Sequence, residues 1–176
     1  MRIGARTSDK YKDEESKINT LIKQSHGINN KTPLDIIAIV QSFGFEVGNG
    51  SFNHCIESCC FDFKDGQKIL NQYQKAIVVN RILSAKEKRF YITYELCRYL
   101  IESSLDENYA HVNINESDEK YELLSMRLLL PEEEFRETTG AIIMYCRKGM
   151  ERVDFLSAHF AVDKDVIIQR MVELGL

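Results

Sequence analysis

No stretch of this 176-residue sequence comes near the roughly 20 consecutive apolar residues that a membrane-spanning helix needs. The segment from Met1 to Ser16 is polar and lacks the apolar core of a secretory signal. These two absences together make the cytosol the expected compartment. An excess of basic residues is lacking too: 23 Lys and Arg face 27 Asp and Glu, for a net charge of −4. A phosphate backbone would meet overall repulsion, which argues against a nucleic-acid partner. Cysteine is scarce and odd in number, at five. Without a secretory signal, Cys55, Cys59, Cys60, Cys97 and Cys146 read as reduced thiols and exclude a disulfide framework. Internal repeats and low-complexity segments are also missing, which excludes solenoids and tandem arrays.

What is present is ordinary globular material. Hydrophobic residues make up 44% and charged residues 28%, enough for one core and far from the composition of a disordered chain. Residues 1–14 read as a flexible lead-in with little apolar periodicity, and 15–176 as a single domain with a C-terminal helical subregion over 132–176. Ile18, Leu21 and Ile22 recur at helical spacing up to His26 and Gly27. Thr32 reads as an N-cap with Pro33 at the first helical position, followed by Ile36, Ile37, Ile39 and Val40 up to Gly44. Alternation at Phe45 and Val47, alternation from Cys59 to Phe63, and the apolar run Ala76 to Val79 predict three strands. Turns are expected at Gly48-Asn49-Gly50 and Asp65-Gly66. The longest helical pattern runs from about Ala85 to Ser103, with no Gly or Pro to interrupt it. A polar stretch, Ser104 to Ser117, then reads as a surface connection to a helix over Asp118 to Leu130 that stops at Pro131. Two short helices split near Gly140 and a closing pair, Val153 to Phe160 and Lys164 to Leu174, complete the chain. The fold class is α+β, dominated by helix.

One segment carries chemical information: Lys88-Arg89-Phe90-Tyr91-Ile92-Thr93-Tyr94-Glu95-Leu96-Cys97-Arg98-Tyr99-Leu100, followed downstream by Leu128-Leu129-Leu130-Pro131. With Ile77-Val78-Val79-Asn80 before it and Phe155-Leu156-Ser157-Ala158-His159-Phe160-Ala161-Val162-Asp163 at the end, it resembles the ImmA/IrrE-like metallopeptidase family. In that family a strand leads into an R-F-x-x-A-H-E-L-G-H helix, and a second helix of the form E-x-x-A-N-x-F-A-A-x-L-L-M-P follows. The resemblance spans most of the chain beyond residue 15 and implies a zincin-like domain, with the small sheet packed on a central active-site helix.

An H-E-x-x-H helix works because two imidazoles four residues apart share one face and bind zinc, while the glutamate beside the first activates the metal-bound water. Carried across, the first histidine position is Tyr94, the glutamate is Glu95 and the second histidine position is Arg98. The third ligand falls on Asp118, with Glu119 next to it and Glu122 one turn on. Arginine has no lone pair to offer a metal. The expectation is therefore that the ancestral zinc site is lost, that no cofactor is bound, and that Glu95 is a vestigial general base. Arg98 is expected to take the metal's place by pairing with Asp118, Glu119 or Glu122 across the two helices.

The resemblance also implies a setting in phages and mobile elements, where active relatives act on helix-turn-helix repressors. The leading expectation is a pseudo-peptidase that binds and regulates a protein, either a helix-turn-helix repressor or a host-defence component. The alternatives are a diverged metal-dependent peptidase or other hydrolase using Glu95 and Asp118 and, as a second alternative, a nucleic-acid-binding regulator. Blander readings accompany the other polar residues. The spacing of Cys55, Cys59 and Cys60 matches no usual zinc site, and Cys97 with His111 as its base is a minor nucleophile reading. His26, His54 and His159 read as structural or exposed, Glu132-Glu133-Glu134 as a solvated helix start. The closing helix pair reads as packing rather than DNA recognition.

Overall fold

A capping box organises the central helix. Ser84 Oγ accepts from the Glu87 backbone N–H, and the Glu87 carboxylate accepts in return from the Ser84 N–H. In the computed structural model, which describes residues 10–26, 32–53, 55–63, 74–103, 108–114, 118–143 and 149–176, this helix runs Ala85–Glu102. Two helices and three strands precede it among the described residues, α1 (Lys12–His26), α2 (Ile36–Ser42), β1 (Glu46–Gly50), β2 (Ile56–Phe63) and β3 (Lys75–Asn80), so it is α3. After it come β4 (Asn108–Ile114), α4 (Glu119–Leu129), α5 (Glu132–Ile143), α6 (Gly149–His159) and α7 (Lys164–Leu174). The α+β class dominated by helix, with a small sheet on a central helix, is what the chain adopts.

The sheet has four strands among the described residues, in the order β1-β3-β2-β4, where three were expected. β3 is central: Ala76, Ile77, Val78, Val79 and Asn80 are all buried, and full burial of one such aliphatic side chain contributes roughly 1.5–3 kcal/mol. It pairs in parallel with β1 and antiparallel with β2. That parallel pairing overturns the turn expected at Gly48-Asn49-Gly50. Those residues continue β1, with Gly48 opposite Val78 and Gly50 opposite Asn80, because β1 joins a partner that lies beyond β2 in sequence. The Asp65-Gly66 turn lies outside the described residues.

The additional strand, β4, occupies part of the stretch read as a polar surface connection. It pairs antiparallel with β2, from Ile56 opposite Ile114 to Phe63 opposite Asn108. Its physical basis is backbone pairing to β2, whose alternation needed an outer partner, rather than an apolar pattern of its own. Smaller differences have similar local causes. The α2 cap is Asp35 rather than Thr32, its Oδ1 accepting from Ala38 N at 3.1 Å. α5 runs through Gly140 instead of splitting there, and α1 begins at Lys12, three residues ahead of the expected onset.

Two apolar cores sit on either side of α3 and α4. One, including Ile36, Val40, Phe45, Ile77, Leu96 and Leu124, joins the sheet's inner face to α1, α2 and α3. The other, including Met126, Leu129, Phe135, Leu156, Phe160 and Ile167, joins α4 to α5, α6 and α7. The closing pair α6 and α7 therefore supplies core residues. Arg127 and Arg170, both buried, share the carboxylate of Glu173 at its edge.

Candidate functional site

α3 packs under β2 and β3 and against α4, and the side chains of Tyr94, Glu95 and Arg98 reach from it to β2, β4 and α4. Glu95 is fully buried. Each of its carboxylate oxygens has a donor: Ser58 Oγ reaches Oε1 at 2.6 Å from β2, and His111 Nδ1 lies 2.9 Å from Oε2, on β4. The imidazole keeps 16% of its side-chain surface exposed while the carboxylate has none. β4 thus closes over Glu95, with His111 as the contact.

Tyr94 is also fully buried, its ring 6.0 Å from that of Tyr121 in an edge-to-face arrangement. Its hydroxyl accepts from the Asp118 backbone N–H at 3.0 Å. Burial raises the Tyr94 hydroxyl above its ordinary pKa, against the Asp118 N–H and Arg98, which lower it. It therefore stays a neutral phenol at physiological pH and helps to start α4.

Arg98 turns away from α4's acidic residues. Its Nε lies 3.0 Å from Glu102 Oε2, one turn along the same helix, and its guanidinium sits 5.1 Å over the Tyr121 ring. Tyr121 in turn donates its hydroxyl to Glu102 Oε1 at 2.7 Å, so one carboxylate joins the two helices through an arginine and a tyrosine. Burial lowers the Arg98 pKa, but Glu102 outweighs it and raises the group above its ordinary value. The partner of Arg98 is thus Glu102, in place of the expected Asp118, Glu119 or Glu122. The reason is local: Asp118 caps α4, accepting from Lys120 N at 2.9 Å, Glu119 reaches out to Lys10 at 3.2 Å, and an i,i+4 pair on α3 needs no rearrangement.

These residues can be tested against a zinc ion. An arginine at the second imidazole position offers no lone pair, the Tyr94 hydroxyl is engaged with a backbone donor, and the Asp118 carboxylate serves as an exposed helix cap. The donor set does not fit the metal. The nucleophile reading of Cys97 also finds no support in the geometry. Cys97 is fully buried, desolvation pushes its pKa up to about 12 despite a contact with Ser125, and His111 is spent on Glu95. Cys55 is exposed, Cys59 half-buried and Cys60 buried; on successive positions of β2, Cys59 and Cys60 point to opposite faces. Cys146, His54 and the side chain of His26 lie outside the described residues. His159 stacks on Phe155 at 5.8 Å between ring centres.

Four residues of the site escaped sequence reasoning: Ser58, His111 as the partner of Glu95, Glu102 and Tyr121. The Arg98-to-Glu102 spacing was a usable signal, and so was the period-two row Tyr109, His111, Asn113 on β4.

No curated protein matches the chain. Among solved structures it is similar to a Mycobacterium tuberculosis transcriptional regulator, with 15% identity and a TM-score of 0.55 over 91% of this chain and 47% of that one. The chain thus spans about half the length of that protein, and the likeness is one of fold. The family described as IrrE N-terminal-like domain, Peptidase_M78, matches residues 59–172, a span that holds β4, α3, α4 and every residue of the Glu95 and Arg98 networks but Ser58. That last residue lies one position ahead of the match, and the chain belongs to the IrrE N-terminal-like domain family.

Proposed function

We propose that this chain is a catalytically degenerate peptidase of its family that regulates a protein by binding it rather than by cutting it. The observation that carries the reading is the sealing of Glu95: both oxygens are engaged and the carboxylate is wholly buried. A general base has to reach the water it activates, and here that path is filled by Ser58 and the His111 imidazole. Arg98 and Tyr94 add to it, because neither presents a lone pair suited to zinc at the positions where the family's motif places imidazoles.

The proposed partner is a helix-turn-helix repressor or a host-defence protein. The family resemblance supports the first, and the solved neighbour's description as a transcriptional regulator supports a regulatory setting. Metal content tests the catalytic half of the proposal. Wild-type protein purified without chelator is expected to contain no stoichiometric zinc and to leave unstructured peptide substrates intact. Stoichiometric zinc with peptide hydrolysis in wild type would replace this reading with a working peptidase. A Tyr94→His, Arg98→His variant, measured alongside, shows whether the scaffold accepts the metal once two imidazoles return.

A further inference from the structure

β4 is the end strand of the sheet; among the described residues nothing pairs with its outer edge. Its outward residues Ala110 and Val112 are exposed, Val112 to 48%. Its inward row is Tyr109, His111 and Asn113. Only the middle one has a side-chain hydrogen bond, to Glu95. The Tyr109 hydroxyl and both amide atoms of Asn113 are buried without a partner. Each such atom loses its bonds to water on folding and gains nothing in return. The β2–β4 ladder is also irregular at the Asn113 end, with a register shift between Ile56 and Ser58, a feature that weakens and ends pairing. If β4 detached, Tyr109, Asn113 and the Glu95 carboxylate would all be rehydrated, against the loss of one strand's ladder, one histidine contact and the edge-to-face packing of Tyr109 on Tyr99; with no zinc donor set at Tyr94 and Arg98, the exposed carboxylate would still have no metal-bound water to activate. β3, by contrast, is paired on both edges.

From this imbalance we infer that β4 is a detachable internal occupant of a docking site formed by the edge of β2 and the Glu95 carboxylate. An extended segment of a protein partner, bearing a histidine, lysine or arginine at its centre, takes the site over when β4 leaves. The central side chain takes the place of His111, opposite Cys60 in the register, where an acidic residue would be repelled by Glu95. Backbone pairing to a sheet edge supplies affinity, and the single buried carboxylate supplies selectivity. That the occupant comes from a regulated protein rests on the function proposed above; that β4 detaches does not.

Hydrogen exchange and one peptide test both parts. In wild type, β4 amides are expected to exchange at least tenfold faster than those of β3 and α3, as a sub-global opening. The Tyr109→Phe, Asn113→Leu double variant removes the orphaned atoms and keeps the bulk. It is expected to slow β4 exchange about tenfold and to weaken binding of a labelled Asn-Tyr-Ala-His-Val-Asn-Ile peptide, the β4 sequence itself, by the same factor, because only the open state binds. The same peptide with glutamate in place of its histidine is expected not to bind. β4 protection equal to that of β3, or unchanged exchange in the double variant, overturns the detachable strand and leaves the protein-binding function standing. Fast β4 exchange without peptide uptake overturns the docking site.

Discussion

Two regions of the molecule, the cluster around Glu173 and the layer under β4, treat buried polarity in opposite ways. Around α7, the guanidinium groups of Arg127 and Arg170 converge on one carboxylate. Arg127 reaches Glu173 at 2.6 Å, Arg170 bonds the other oxygen of Glu173, and Arg170 Nε also caps the last carbonyl of α4 at Leu130. That cluster borders an apolar core of Phe135, Leu156 and Phe160 and crosslinks three segments of chain. Under β4, Glu95 has two uncharged or titratable donors and no permanent cation, while the Tyr109 hydroxyl and the Asn113 amide have no partner. The first arrangement is what a fold needs in order to stay closed. The second is costly for stability, and such cost is commonly retained where a surface has to bind or open. The comparison separates a region that holds the domain together from the region where we place the proposed binding.

The strongest way to break this comparison is at Glu173. Substituting Glu173→Gln removes the carboxylate that pairs with buried Arg170 and leaves Arg127 with the partly exposed Glu15. Removing one partner of a buried ionic group costs about 3–5 kcal/mol, and the variant is expected to lose that much in denaturant unfolding. A loss below about 1 kcal/mol would show that the cluster is solvated in solution and that the two regions do not differ in kind.

A middle-sized effect is expected from the thiols of the sheet and α3, and its direction follows from burial. Desolvation raises Cys59 to about 11 and Cys97 to about 12, above the usual thiol value of about 8.5 in an unfolded chain. A raised folded-state value means that the native protein holds its proton longer. The stabilisation is therefore fully present below about pH 8.5 and is lost as pH rises through about 11 and 12. Stability should fall by up to about 1.4 kcal/mol per pH unit for the fully buried Cys97 in that window, and by less for the half-buried Cys59, where solvent screens the effect. A Cys97→Ala variant should flatten the slope; an identical slope would mean that α3 opens to solvent around residue 97.

Which of these features could be read before the fold was known follows from their physical range. The helix α3 was legible because its cap and its periodicity are local. So was the replacement of both imidazole positions, because a four-residue spacing on a helix is a geometric statement in itself. β4 was not legible as a strand: its inward positions hold Tyr109, His111 and Asn113, so its alternation set polar against small or apolar residues in a way that resembles a loop. Gly48 and Gly50 favour a turn at the end of β1, and only the parallel pairing with β3, a non-local contact, overrides that preference. The link from Glu95 to His111 depends on β4 being a strand, so it was hidden by the same cause.

The smallest effect expected is the one that the zinc-replacement idea would have made large. Had Arg98 bridged α3 to a buried carboxylate on α4, Arg98→Ala would have stranded that charge, at a cost of about 3–5 kcal/mol. Instead, Arg98 and Glu102 keep 22% and 31% of their side-chain surface exposed, and the pair lies along one helix. Solvent and salt screen such a pair to about 0.3–0.5 kcal/mol, to which the contact with the Tyr121 ring adds about 0.5–1 kcal/mol. Arg98→Ala is therefore expected to lower stability by about 1 kcal/mol, with the Arg98 to Glu102 part disappearing at 1 M salt. A salt-insensitive loss of about 3 kcal/mol or more would place Arg98 among the buried charges, beside Glu173, and would return it to the role of a metal substitute.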